Sequence, residues 1–304
     1  MSRRIILLVL ACLLAFPAVS AADRTSVGEA AMADPLTVTY LDFGTGYTDL
    51  NVIIKTLEKY PNLEKVDMFG TPVWRSNIED LTARFPQIEF GWTIRFGDGH
   101  SVRTDATAFS TLHFSDSTVH YTKDISLLRY CKKLKALDFG HNAVDDISWL
   151  RDLPDLRVLI IAINRIKDIS PLADLKNLEY LEIFNNYITD LSPLAGLTHL
   201  MDLNLSLNKI DDLSVLKEMP SLKRLWIYAC RYVHKEPPRE VVKDLQAALP
   251  DTYIDYTHYS TGGRWRYLDN GDPHPHYKVI QEIFGKDHQH PAHQYIPFED
   301  SYPE

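Results

Sequence analysis

A repeat of 22 residues dominates the middle of the chain. Blocks of this length align without a gap, and they begin at Ile125, Ile147, Ile169, Leu191 and Leu213. Leucine recurs at the same place in every block, at Leu134, Leu156, Leu178, Leu200 and Leu222, and a second position holds Asn142, Asn164, Asn186, Asn208 and finally Cys230. One unit of this length cannot bury a core alone, so the units must stack on one another into a solenoid.

The spacing inside each unit is L-x-x-L-x-L-x-x-N/C-x-I, which is the pattern of a leucine-rich repeat. The L-x-L part alternates as a short strand whose leucines point inward. The asparagine follows the strand and is suited to pair the backbone groups of a buried turn. An Asp-[Ile/Leu]-Ser-x-Leu motif on the return side, with Pro171 and Pro193, predicts a tight 3₁₀-like turn. Its aspartates are interpreted as caps and turn residues rather than as a metal row.

We therefore predict an α/β leucine-rich repeat solenoid with a parallel concave sheet, short 3₁₀ turns on the convex side and helix-bearing caps at both ends. The predicted organisation is a signal peptide at 1–21, a linker at 22–35, an N-terminal cap of wider, irregular coils at 36–108, regular repeats at 109–234, a C-terminal cap at 235–259 and a Pro/Tyr/His-rich extension at 260–304. Strands are predicted at 36–42, 63–68, 88–93 and 252–256, and helices at 49–60, 238–249 and 277–284. Residues 109–117 align with 134–142 at an offset of 25, which predicts one further coil in which Leu112 matches Leu137.

The first residues have the order of a secretory signal peptide. Arg3 and Arg4 precede an apolar run, and small residues follow it up to Ala22, so cleavage is predicted after Ala21. The run is too short to span a bilayer. A twin-arginine signal and a lipobox ending at Cys12 are alternatives, but the rest of the twin-arginine motif is missing and only six apolar residues precede Cys12. The prediction is a secreted or extracytoplasmic protein with no transmembrane segment in the mature chain, and lipid anchoring through Cys12 is disfavoured.

Composition limits the partners. The 304 residues carry 32 Lys and Arg against 41 Asp and Glu, a formal net charge of −9. No basic excess is available to neutralise phosphates, which argues against nucleic acid as a partner. Stacking places Cys131 and Cys230 four or five coils apart, so these two cysteines are predicted to be buried and unable to bond to each other.

The repeats between residues 112 and 234 resemble those of internalin-type bacterial leucine-rich repeat proteins. That resemblance implies a secreted or surface protein whose concave sheet binds another macromolecule, without identifying it. Residues 103–111 and 260–266 are also similar to segments that flank the repeats in uncharacterised secreted proteins of Gram-positive gut bacteria. Unlike many internalins, the sequence shows no C-terminal sorting motif or hydrophobic tail, so we do not expect covalent attachment to a cell wall.

The residues beside the inward leucines are predicted to form the concave surface, in columns that run through Thr111 and Ala136, His113 and Asp138, and Ser115 and Gly140. These columns collect aromatic and apolar side chains next to an arginine, a composition that interface hot spots favour. The candidate binding residues are Val158, Ile160, Tyr180, Glu182, Phe184, Arg224, Trp226 and Tyr228. The alternative is that the C-terminal extension or a neighbouring loop covers them.

Two groups of histidines are candidates for a reactive site. The offset of 25 would place His113 beside Asp138 and Asp116 beside His141, a set that could hold zinc or pair for acid–base work. Two ordinary His/Asp pairs on a solvated rim are the favoured interpretation. In the extension, His288, His290 and His293 match no closed zinc site.

No catalytic fingerprint appears in the sequence. The prediction is therefore a non-catalytic recognition module for a protein or glycan, with no cofactor and no metal. A metal-dependent hydrolase that uses the His113 cluster and a structural subunit of a cell-surface assembly remain as alternatives.

Overall fold

A computed structural model describes residues 26–46, 48–96, 101–111, 119–230, 236–258, 265–285 and 294–298. The predicted signal peptide, His113, Asp116 and the tail histidines His288, His290 and His293 lie outside these residues. The chain divides into two compact units, one up to Asp105 and the other from Ala106.

The first unit contains a parallel sheet of three strands in the order β1 (Tyr40–Asp42), β2 (Lys65–Asp67) and β3 (Glu89–Gly91). A short helix α1 (Val27–Ala30) precedes it, and α2 (Leu50–Leu57) and α3 (Arg75–Arg84) connect its strands. The strands lie inside the predicted ranges, and Asp49 caps α2 by accepting a hydrogen bond from the Asn51 amide at 2.9 Å. Helix α3 was not predicted from the sequence, and neither was an antiparallel hairpin of β4 (Thr93–Arg95) and β5 (Ser101–Arg103).

The second unit has the leucine-rich repeat fold. Its seven-stranded sheet runs in the order β12-β11-β10-β9-β8-β7-β6, and the strand pairs are parallel. The strands are β6 (Ala108–Ser110), β7 (Ala136–Asp138), β8 (Val158–Ile160), β9 (Tyr180–Glu182), β10 (Asp202–Asn204), β11 (Arg224–Trp226) and β12 (Tyr253–Asp255). The central residue of each strand from β7 to β11 is a fully buried leucine, so the leucines form the core as predicted.

The return side of the repeats consists of 3₁₀ turns. After the short helix α4 (Thr122–Ile125) they occupy Ser126–Tyr130, Ser148–Asp152, Ser170–Asp174, Ser192–Leu194 and Ser214–Glu218. The aspartate two residues before four of these serines accepts a hydrogen bond from the serine amide at 2.8 Å. These aspartates are therefore caps of the turns, as the sequence indicates.

The asparagines form a hydrogen-bonded ladder between coils. The side-chain amide of Asn186 donates to the carbonyls of Ile183 and Phe184 in its own coil and of Ile161 in the preceding one. Its Oδ1 accepts from the Ile166 amide at 3.0 Å. Asn164 and Asn208 repeat this arrangement, and the Cys230 thiol lies 3.5 Å from the Leu205 carbonyl in the equivalent place.

Each residue just before this ladder position has a left-handed backbone. The φ angles of His141, Ile163, Asn185, Leu207 and Ala229 lie between 50° and 59°. Such values are unfavourable for side chains other than glycine and asparagine, and most unfavourable for a β-branched residue such as Ile163. This local strain recurs once in each of these coils, at the point where the chain leaves the strand and turns.

The predicted register of the first coil is wrong. Phe109 pairs with Leu137 and Ser110 with Asp138, so the two coils match at an offset of 28 rather than 25. The physical reason is that the buried Phe109 occupies the inward position that the prediction gave to Leu112. Ala108 and Ser110 lie opposite Ala136 and Asp138, the places that the prediction gave to Thr111 and His113. The column through Ser115 and Gly140 rests on the same offset.

The chain after the repeats forms two helices, α5 (Arg239–Ala248), which begins after Pro238, and α6 (Pro275–Phe284). Both lie close to the predicted ranges, and Pro275 starts α6 two residues earlier than expected. Cys131 and Cys230 are buried and free, as predicted.

Candidate functional site

The surface of interest is the face of the seven-stranded sheet opposite the leucine core, which we call the sheet face. It consists of the first and third residues of each strand from β7 to β11. The first residues are Ala136, Val158, Tyr180, Asp202 and Arg224, and the third residues are Asp138, Ile160, Glu182, Asn204 and Trp226. From Ala136 onward, these two columns agree with the columns read from the sequence.

The eight candidate binding residues lie together on and beside this face. Val158, Ile160, Tyr180, Glu182 and Trp226 are almost completely buried, Phe184 and Arg224 are buried, and Tyr228 is half-buried. In the structure, the C-terminal extension covers these residues, which is one of the alternatives that the sequence left open. The binding role of these residues stays a prediction.

The cover is the segment that comprises residues 265–285 and 294–298, which we call the tail. Its apolar side chains form one buried cluster with the sheet face, which includes Val158, Ile160 and Trp226 of the sheet and Trp265 and Ile280 of the tail. The Trp265 ring lies 5.0 Å from Trp226 and 5.4 Å from Tyr180, measured between ring centroids. Trp265 is completely buried by these contacts. Aromatic pairs at such separations add to the stabilisation that burial provides.

Glu182 is the principal polar anchor of the tail. Its carboxylate accepts a hydrogen bond from the Trp265 indole N–H at 2.6 Å and from the Arg266 guanidinium at 3.3 Å. On the same strand, the Tyr180 hydroxyl also donates to it. Burial raises the pKa of Tyr180 well above its ordinary value, and the neighbouring Glu182 charge adds to that rise. Tyr180 therefore remains a hydrogen-bond donor across the physiological pH range.

Asp202 is the second anchor. Arg224 forms a two-pronged ion pair with Asp202, with N–O distances of 3.0 and 2.5 Å. The His276 ring of α6 contacts the same carboxylate. Burial would raise the pKa of Asp202, but the Arg224 charge and the His276 hydrogen bond and charge outweigh it and hold this pKa at about 2. Arg224 also donates to the Trp265 carbonyl at 2.7 Å, so both anchors act on one stretch of the tail.

The end of the tail is fixed by Tyr295. Its hydroxyl donates to Glu179 at 3.3 Å, and its backbone amide donates to the Thr107 hydroxyl at 2.9 Å. The Arg157 guanidinium, which pairs with Glu179, lies 5.4 Å from the centre of the Tyr295 ring. The tail thus contacts three carboxylates of the repeats through an indole, a guanidinium, an imidazole and a phenol.

The tail contacts were not found in the sequence. Glu179 and Arg157 precede the strands and were not read as surface residues, while Asp202 appeared in a predicted column without a role. A signal for the tail was present in the Trp265-Arg266 pair and in the predicted helix at 277–284, which combine aromatic and cationic groups on a segment that follows the repeats. No pattern in the sequence indicates where such a segment docks.

The structure removes one premise of the hydrolase alternative. Ser110 occupies the place opposite Asp138 that the predicted offset gave to His113, and the Asp138 carboxylate accepts a hydrogen bond from the Gly140 amide at 3.0 Å, as a turn-forming residue does. Within the part of the chain that the structure describes, no group of three or more His, Cys, Asp or Glu side chains has the arrangement of a metal site.

Family models agree with the repeats. A model of two leucine-rich repeats matches residues 154–196, and a single-repeat model matches residues 130–147 and 196–217. The chain has the leucine-rich repeat fold. No curated protein matches the chain in sequence.

Solved leucine-rich repeat structures give partial matches. An internalin from Listeria monocytogenes is 24% identical with a TM-score of 0.41, and the match covers 74% of this chain and 59% of that protein. Internalin C2 from the same species is 23% identical with a TM-score of 0.40, covering 73% of this chain and 81% of the other. A leucine-rich repeat protein from Leptospira interrogans is 20% identical with a TM-score of 0.42, covering 72% and 56%.

Among the described residues, no helix has the length and apolar character needed to cross a membrane.

Proposed function

We propose that this chain is a non-catalytic recognition module that acts outside the cytoplasm and binds a protein partner through the sheet face. The observation that carries the proposal is that this face already holds a polypeptide, the tail, in a specific arrangement. The internalin-like repeats and the predicted signal peptide support the proposed location.

The chemistry of the sheet face suits protein recognition. Tyr180 and Trp226 offer large aromatic surfaces, Val158 and Ile160 lie on the strand next to Tyr180, and Arg224 is held rigid by its ion pair. Aromatic residues and arginine, placed centrally and shielded from water, are the groups that contribute most to binding in protein interfaces. A glycan is the less favoured ligand, because the segment that occupies this face in the structure is itself a polypeptide, bound by aromatic packing as well as by polar contacts.

Affinity capture from envelope and extracellular extracts tests the proposal. Three immobilised proteins are compared: the unaltered chain, a tail-release variant with Trp265→Ala and Arg266→Ala, and the tail-release variant with Ile160→Lys added. Trp265→Ala and Arg266→Ala remove the two tail side chains that contact Glu182 but leave every residue of the sheet face in place. Circular dichroism establishes that the repeats remain folded in each.

A partner that the tail-release variant retains, and that Ile160→Lys abolishes, would support recognition through the sheet face. Equal capture by all three proteins would place the binding surface elsewhere and overturn the proposal.

A further inference from the structure

The tail covers the surface on which the proposed function depends, and the carboxylates beneath it are paired within the repeats themselves. Arg224 pairs with Asp202, and both belong to the repeats. Arg157 pairs with Glu179, and the Tyr180 hydroxyl donates to Glu182, again entirely within the repeats. Each carboxylate that the tail contacts therefore keeps a repeat-borne partner when the tail is absent.

This arrangement matters because a buried charge that loses its only partner is strongly destabilising. The sheet face is protected from that penalty by its own internal pairs. On the tail, Arg266 and His276 are groups that water solvates readily once they are released. The tail can therefore leave the sheet face without leaving an unpaired buried charge on either surface. A segment that never leaves the sheet face would not need these internal pairs.

The tail also shows which ligand chemistry the face accepts. Glu182 accepts from an indole N–H and a guanidinium, Asp202 contacts an imidazole, and the buried apolar side chains of an amphipathic helix, α6, belong to the same cluster as those of the sheet face. An amphipathic helix that lays its apolar side into a groove is a recurring mode of peptide recognition.

We propose that the tail is an intrachain ligand of the sheet face, which occupies the recognition site until a polypeptide segment of the same aromatic and cationic chemistry displaces it. Glu182 and Asp202 are the residues that bind these groups. Trp265 and Arg266 of the tail occupy Glu182, and His276 occupies Asp202. The proposal rests on the proposed function and adds to it the regulation of the site and the class of partner.

A binding experiment with the full chain tests the inference without any external partner. The probe is a fluorescent synthetic peptide with the sequence of residues 264–299, and its anisotropy is measured against three proteins. They are the unaltered chain, the tail-release variant with Trp265→Ala and Arg266→Ala, and a control with Leu268→Ala. Leu268 belongs to the same tail segment, but its side chain is 43% exposed.

The tail-release variant is expected to bind the peptide at least ten times more tightly than the unaltered chain and the Leu268→Ala control, because its own tail competes less well. Adding Ile160→Lys to the tail-release variant is expected to abolish binding. Replacing the tryptophan that corresponds to Trp265 in the peptide with alanine is expected to weaken it at least tenfold.

Hydrogen exchange of α6, measured in parallel, shows whether the tail has left the sheet face in the tail-release variant, so that the binding result can be interpreted. Faster exchange of α6 in the tail-release variant without peptide binding would overturn the inference, since an uncovered face would then fail to accept its own ligand. Unchanged exchange would also overturn it, because the Glu182 contacts would not be what holds the tail. Binding that survives Ile160→Lys would place the peptide elsewhere. Capture of an external partner through the sheet face, together with failure of the peptide, would overturn this inference while the proposed function stands.

Discussion

At the scale of single residues, each coil contains one residue with a strained backbone and a neighbour whose side chain forms hydrogen bonds with otherwise unpaired backbone groups. The left-handed residue, such as Ile163, turns the chain off the strand, and the asparagine that follows it pairs the groups this turn leaves open. The two positions have opposite effects on stability. Substitutions at neighbouring sites should therefore change the free energy of unfolding in opposite directions.

Replacing Ile163 with asparagine is expected to stabilise the second unit by about 1 kcal/mol, because asparagine tolerates the left-handed region that costs a β-branched residue roughly 1–2 kcal/mol. The measurement is the denaturation midpoint in urea. Asn185→Ile makes the reverse change at the equivalent position of the next coil, where φ is 54°, and should destabilise by a similar amount. Shifts of the same sign in both variants would contradict this account.

Asn186→Ala is expected to destabilise the repeats by about 2–4 kcal/mol, since it leaves the Ile166 amide and several buried carbonyls without their partner. Asn177→Ala is the matched control. Its side chain is exposed and makes one hydrogen bond, to the Pro154 carbonyl at 3.2 Å, so its loss should cost less than about 1 kcal/mol. Thermal unfolding of both variants gives the comparison, and equal costs would refute the role of the ladder.

At the scale of elements, the contact between α6 and the sheet face depends on charge as well as on apolar burial. His276 of α6 and Arg224 of β11 both contact the Asp202 carboxylate of β10. The pKa of Asp202 is about 2 in the folded chain, compared with 3.8 for an unperturbed aspartate. Because the folded pKa is the lower one, ionised Asp202 stabilises the fold above about pH 4, and this stabilisation is lost as the pH falls through 2.

Asp202→Asn is therefore expected to change how stability depends on acidity. Between pH 5 and pH 2 the unaltered chain should lose about 2 kcal/mol more than the variant, which has no carboxyl group to protonate at this site. Urea unfolding at a series of pH values measures this difference. Parallel stability profiles for the two proteins would show that Asp202 does not have the depressed pKa.

The elements of the repeats were predictable and their cover was not. Leucine spacing defined the strands, and the Asp-x-Ser motif defined the 3₁₀ turns, because each depends on interactions within one or two coils. The offset of the first coil failed because both Phe109 and Leu112 are apolar, and spacing alone cannot decide which of them points inward. The tail was predicted to contain a helix, but its docking depends on contacts between residues far apart in sequence, such as Glu182 and Trp265.

At the scale of the whole molecule, the tail contributes much of the apolar cover of the repeats. Trp265, Ile280, Ile283 and Phe284 are buried against a sheet face that would otherwise present Val158, Ile160, Tyr180 and Trp226 to water. An uncovered apolar patch of this kind favours association between molecules. The tail is therefore expected to keep the protein monomeric.

A chain that ends at His258 is expected to self-associate at micromolar concentration, which light scattering would detect as a rise in mass relative to the full chain. The repeats should keep their circular dichroism, since the leucine core and the asparagine ladder do not involve the tail. Introducing Ile160→Lys into the shortened chain should restore the monomer by placing a charge in the patch. A monomeric shortened chain would contradict this role of the tail.

The hydrogen bond between Tyr295 and Thr107 joins residues that lie 188 positions apart in the sequence. During synthesis the repeats emerge well before Tyr295, so coils that are already able to stack must wait until the tail has been synthesised before their outer surface is covered. Apolar side chains stay open to chaperones and to neighbouring nascent chains throughout that interval. The yield of native protein should therefore depend on how quickly translation passes from the repeats to the tail and on what binds the growing chain in the meantime.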